Sequence, residues 1–319
     1  MPLGDYDDDY QLYVYHHLND RDVRGLLTAN HFVEMTSDGT STKFTPVDEM
    51  PMREDATGLV LELGNFMGKR QQFVPKERRA GMLTTLWNAT FRTMFTSLPR
   101  TNAAHAMRAY LGLDIAKSEG LIEPEGNFEL HDYDNKGIKA DDCSFCHKTL
   151  DAASYPFTKY NGLSFDVPGK DIDVGNIFDP DGQRPDNTLV NLIPPRLVEW
   201  YLTQSKMLVP GIYKPRRIEL LSELNKETEP DLAEIPEAGY LLGKPVANLV
   251  EWGQVAANSE YFAKNIVLDY WKHLIGSEPK SDSEKKEFSE LWNGLMGEDN
   301  YSVSKMLKKL VATEAYGAP

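Results

Sequence analysis

The chain of 319 residues has only two cysteines, and both fall in one five-residue run, Cys143-Ser144-Phe145-Cys146-His147. Two thiols three positions apart lie on one turn of a helix and can add to the two vinyl groups of a single haem, leaving the adjacent histidine placed to ligate iron from the proximal side. The run therefore predicts one covalent haem c on Cys143 and Cys146, with His147 as metal ligand. Other uses of a C-x-x-C fit less well. Zinc needs two more ligands at finger-like spacing, and there is no second Cys pair. A redox dithiol would follow a strand in a βαβ unit, whereas Asp141-Asp142 ahead of Cys143 reads as the acidic first turn of a helix. No cysteine is left over for a structural disulfide.

What such an iron does depends on its distal face. The first candidate for the second axial metal ligand is Met207, in Lys206-Met207-Leu208-Val209-Pro210-Gly211-Ile212, 60 residues after His147. This segment resembles the ligand loop Lys-Met-x-x-x-Gly-Ile of small class I cytochromes c, although filling a core is the usual role of a methionine. His131 and His273 are the alternatives. A thioether ligand raises the reduction potential and a second imidazole lowers it. Tyr155, Phe157, Tyr160 and Phe165 follow the motif at spacings that suit either the wall of a haem pocket or an ordinary core. Arg196, Arg216 and Arg217 suit haem propionates or plain solvation. Asp132-Tyr133-Asp134-Asn135-Lys136-Gly137 imitates the start of a calcium loop, but Lys136 takes a ligand position and Cys143 stands where the closing Glu belongs. A polar turn leading into the haem helix is the plainer reading, with calcium as a lesser possibility.

The elements that must position these groups read as mainly α, a multi-helix chain with a cytochrome c-like haem module between two helical domains. The expected divisions are an N-terminal helical domain over 1–125, the haem module over 126–222 and a C-terminal helical domain over 223–319. Val23, Leu26 and Leu27 make one apolar face, helical structure is expected through residues 77–84, and residues 35–58 read as a loop with at most a short hairpin. Ala103 to Leu111 reads as a helix ended by Gly112. Residues 166–187 should be irregular, and a helix should resume at Pro194-Pro195. Towards the C-terminus three apolar stripes recur: Phe262, Ile266, Tyr270 and Leu274; Phe288, Leu291, Trp292 and Leu295; and Met306, Leu307, Leu310 and Val311.

Composition limits the partners. With 34 basic and 49 acidic residues the net charge is −15, which disfavours a nucleic acid or an anionic membrane surface and suits a basic redox partner. No run approaches the roughly 18 apolar residues of a transmembrane helix. Met1-Pro2-Leu3-Gly4, followed by acidic residues, is unlike a signal peptide. Covalent haem attachment takes place outside the cytoplasm, so a periplasmic or otherwise exported location implies a processed sequence. No phosphate-binding Gly loop, H-E-x-x-H or nucleophile elbow is present, and hydrolase chemistry is not expected.

The residues after the motif, Cys146-His147-Lys148-Thr149-Leu150-Asp151, then Tyr155-Pro156-Phe157 and Tyr160-Asn161-Gly162, resemble the haem segment of the planctomycete-type cytochrome family, with Ala152 in place of the usual Pro after the Asp. Arg24-Gly25-Leu26-Leu27-Thr28-Ala29-Asn30 resembles that family's upstream Arg-Glu-Leu-Leu-Thr-Ala-Asp box, and Arg79-Ala80-Gly81-Met82-Leu83-Thr84 its Arg-x-Gly-Leu-Leu-Thr segment. Phe262-Ala263-Lys264-Asn265, with Tyr270-Trp271 and Leu274-Ile275-Gly276, resembles its closing module without the arginines. The resemblance covers most of the chain in patches. It implies haem and export, and single-electron transfer to or from a redox partner is the function expected here. The rivals are a peroxidase-like haem enzyme with an open distal site and an accessory cytochrome subunit of a larger, membrane-associated assembly.

Overall fold

A computed structural model describes residues 6–18, 20–48, 74, 76–85, 88, 99–133, 137–158, 160 and 235–317. Among these the protein is mainly α, with nine α-helices and two two-stranded hairpins. Helix α1 (Tyr6–His17) leads into a single buried turn, α2 (Gly25–Thr28). Val23, Leu26 and Leu27, the apolar face expected from spacing, are all buried. A hairpin follows in the region expected to be mostly loop, β1 (Phe32–Ser37) against β2 (Thr42–Val47), with Phe32 opposite Val47 and Ser37 opposite Thr42. Its turn is fastened by Asp38, whose Oδ1 accepts hydrogen bonds from the Thr40 and Ser41 amides at 2.9 and 2.8 Å.

Residues 77–84 form two short 3-10 turns, Lys76–Arg78 and Gly81–Thr84, not a continuous helix. The break is at Gly81, whose φ of 52° lies in the left-handed region. A Cβ there would stand 2.2 Å from the Leu26 carbonyl oxygen, so the chain turns tightly against α2.

Helix α3 (Arg100–Ala106) continues as a π turn, Met107–Leu111, and ends at Gly112 with φ 67°. Helix α4 (Asp141–Ser154) carries the C-x-x-C-H run and passes into a 3-10 turn, Tyr155–Phe157. A second hairpin, β3 (Gly239–Leu241) with β4 (Lys244–Val246), lies on the end of α4. Four longer helices and a final turn follow: α5 (Leu249–Ala257), α6 (Glu260–Ile275), α7 (Asp282–Met296), α8 (Val303–Leu310) and α9 (Glu314–Gly317).

The C-terminal helices begin where the sequence supplies caps. Asn248, Ser259 and Ser302 each accept a hydrogen bond from an amide of the first turn. Ser281 and Glu284 form a reciprocal capping box on α7. Of the expected stripes Leu274 and Val311 stay exposed, while Phe262, Ile266, Leu291, Leu295, Met306 and Leu310, with neighbouring Trp271, are buried. One hydrophobic cluster contains these residues together with Val23, Leu26, Leu27, Ala103, Met107, Phe157 and Tyr160, so residues from all three segments distinguished in the sequence meet in it. No helix among the described residues is long and apolar enough to cross a membrane. The irregular stretch expected at 166–187 and the helix expected at Pro194 lie outside the described residues.

Candidate functional site

Helix α4 changes environment along its length. Its second half is held inside, with Thr149, Asp151, Ala152, Ala153 and Ser154 all buried. Its first half stands at the surface, where Cys143 is exposed and Cys146 half-buried, both as free thiols. Positions i, i+3 and i+4 share one face of a helix, so Cys143, Cys146 and His147 are presented together. Asp141 and Asp142 in the first turn complement the positive end of the helix dipole. Cys146 and Leu150 pack against the main hydrophobic cluster, while Phe145 is 60% exposed.

The buried half is fixed by close packing and by polar links. A Cβ on Gly239 would stand 2.1 Å from the Ala152 carbonyl oxygen, so β3 approaches α4 as only a glycine allows. The Thr149 hydroxyl donates to the Ile122 carbonyl at 3.3 Å, and Lys148 pairs with Glu123 at 3.4 Å.

One turn beyond His147 lies Asp151, whose side chain has 0% exposure. Its Oδ1 accepts a hydrogen bond from His147 Nδ1 at 2.8 Å. Arg100, the first residue of α3, donates from Nε to Oδ1 and from a terminal nitrogen to Oδ2, both at 2.8 Å. The forked guanidinium is 17% exposed, so this is a nearly buried, bidentate ion pair. The imidazole is 24% exposed, and its Nε2 carries no hydrogen bond among the described residues.

The other residues singled out in the sequence are distributed as follows. Phe157 and Tyr160 lie inside the cluster on which Cys146 packs. Phe157 meets Trp252 edge-on with centroids 5.5 Å apart, and the Tyr160 hydroxyl donates to the Arg78 carbonyl at 2.7 Å. Burial pushes the Tyr160 phenol well above its ordinary pKa. His131 and His273 are both exposed, His131 beside Tyr133 and His273 on α6. Met207, Phe165, Arg196, Arg216 and Arg217 lie outside the described residues. In the calcium-like segment Asp132 accepts from the Gly137 amide at 2.7 Å, the bond of a polar turn, and residues 134–136 are outside the described set. Among the described residues no group of three or more His, Cys, Asp or Glu side chains is arranged to hold a bare metal ion.

Asp151 and Arg100 join the site without belonging to the C-x-x-C-H motif. For Asp151 the signal was its i+4 spacing from His147 on one helix face. Arg100 is 51 positions from Asp151, and nothing local marks it as a partner.

Two free thiols and an imidazole with an available Nε2, all on one presented helix face, form a donor set that fits a covalently attached haem. No protein-family model, no curated protein sequence and no solved structure matches the chain.

Proposed function

We propose that the chain binds one haem c at Cys143, Cys146 and His147 and works outside the cytoplasm as a mono-haem cytochrome that transfers single electrons. The observation that carries this reading is the outward half of α4. It sets both thiols beside an imidazole whose Nδ1 is engaged by Asp151 and whose Nε2 is left available. When bound, the haem supplies a one-electron ferric/ferrous couple.

The chain's own residues divide the work. Cys143 and Cys146 anchor the ring through thioethers. His147 would hold the iron through Nε2, and Met207 is the proposed second protein ligand. Phe157 and Tyr160, the proposed inner wall, belong to the hydrophobic cluster against which Cys146 packs. The buried end of α4 is held by β3, Ile122 and Arg100, which fixes the presented half in place. With a net charge of −15 the chain suits a basic redox partner, or a basic surface within a larger assembly. The likeness to planctomycete-type cytochromes supports cofactor and location.

The test is optical. Protein exported through a c-type maturation pathway should show sharp low-spin c-type bands on reduction, unchanged by carbon monoxide. A high-spin haem that binds carbon monoxide would favour the rival haem enzyme with an open distal site.

A further inference from the structure

Asp151 is an expensive residue at its position. A carboxylate with 0% exposure loses its hydration, and replacing the whole buried pair of Asp151 and Arg100 by apolar side chains of similar size is the kind of change that often leaves a protein as stable or more so. The Asp151 oxygens are nonetheless fully used: Oδ2 by Arg100, and Oδ1 by both Arg100 and His147 at 2.8 Å each. A carboxylate accepts and does not donate, so the bond requires a hydrogen on His147 Nδ1. That fixes the tautomer in which Nε2 carries the lone pair, and it fixes the ring's rotation. The Arg100 fork in turn prevents the carboxylate from rotating away.

We infer that Asp151 and Arg100 are positioning residues which orient His147 and strengthen it as a donor, so that they lower the reduction potential of the haem. This rests on the haem reading above. A carboxylate behind a ligating histidine makes the imidazole more basic than a neutral acceptor would, and a more basic ligand favours ferric over ferrous iron. Arg100 moderates the effect and keeps the carboxylate aimed at Nδ1.

The experiment compares haem-loaded, exported protein with its Asp151→Asn variant, in which an amide oxygen still faces Nδ1 without the charge. The haem content of each is measured first, as pyridine haemochromogen after denaturation, and the midpoint potential second. The variant should keep its haem while its ferrous-to-ferric ratio at fixed poise rises by roughly tenfold, taken from the lower end of the effect that losing an outer-shell partner has on metal affinity. For a one-electron couple that is an upward shift of about 59 mV. An unchanged potential in haem-loaded variant overturns the inference, because a merely structural Asp151 would lower the melting temperature alone. Absence of covalent haem from the unmodified protein overturns the haem reading and this inference with it. If the variant does not accumulate, the unmodified reduced protein labelled with 15N-histidine decides. A far-downfield, slowly exchanging Nδ1 proton on His147 supports the inference, and a rapidly exchanging one overturns it.

Discussion

At the scale of single residues the site is a chain of dependence running inward from His147 to Asp151 to Arg100. Its inner link can be tested without any haem. Arg100→Met leaves the Asp151 carboxylate buried and without its forked partner, and breaking such a pair costs about 3–5 kcal/mol. Urea unfolding of the variant should show a loss of that size with an unchanged m-value; a loss under about 1 kcal/mol, the scale of an exposed pair, would mean that the ion pair is not buried in solution. The proposed distal ligand is tested by Met207→Ala. The reduced unmodified protein should ignore carbon monoxide and the variant should bind it; identical behaviour would remove Met207 from the iron. The proposed proximal motif lies within five consecutive residues, and the helix that was expected to carry it is present as α4. Asp151 was half legible, since i+4 spacing places it beneath His147 only once the helix is granted. Arg100 was not legible, because its proximity to Asp151 is created by packing α3 on α4.

At the scale of elements, helices with a 3.6-residue apolar period and a side-chain cap were readable from sequence. The stripes of α6, α7 and α8 turn most of their residues inward, Leu274 and Val311 excepted, and Gly112 ends the helical stretch through Leu111 with a left-handed residue. The short elements were not readable. The β3–β4 hairpin has three-residue strands joined through Leu242 and Gly243 at φ 52° and 79°, without the Asn-Gly or Asp-Gly pair that marks such turns. The break at Gly81 depends on the distant Leu26 carbonyl, which no local pattern announces. The hairpin also supplies a prediction. Gly239→Ala drives a methyl group into the Ala152 carbonyl and must displace β3 from α4, at a cost of about 1–3 kcal/mol for overpacking. Thermal unfolding should reveal the cost, and hydrogen exchange should rise first in residues 149–154. A variant as stable as the parent would show that the hairpin does not bear on α4.

At the scale of the whole molecule, α1 is tied to the main body partly through a histidine kept neutral by burial. His16 packs its ring over Gly25, and its Nδ1 bonds the Asp22 carbonyl at 3.0 Å. Desolvation, aided by neighbouring His31 and His17 against the opposing pull of Asp22, lowers its pKa from 6.5 to about 4. Above pH 6.5 the ring is neutral in both folded and unfolded chains and contributes nothing to pH dependence. As pH falls towards about 4 the unfolded chain takes up the proton first, so stability is lost at about 1.4 kcal/mol per pH unit. The full loss from this group is on the order of 3 kcal/mol. Urea midpoints measured across that range should fall steeply for the parent and less steeply for His16→Phe; equal slopes would show that His16 is not buried in solution. The shared core of N-terminal, central and C-terminal residues makes such a loss matter to the site, because α4 is anchored in the same cluster. The central claim is that Cys143 and Cys146 hold a haem covalently. It is tested most directly by the intact mass, under denaturing conditions, of the exported protein and of its Cys143→Ser/Cys146→Ser variant. The account predicts a mass increase of one haem that survives denaturation in the first and is missing from the second, and an exported parent with the bare polypeptide mass would contradict it.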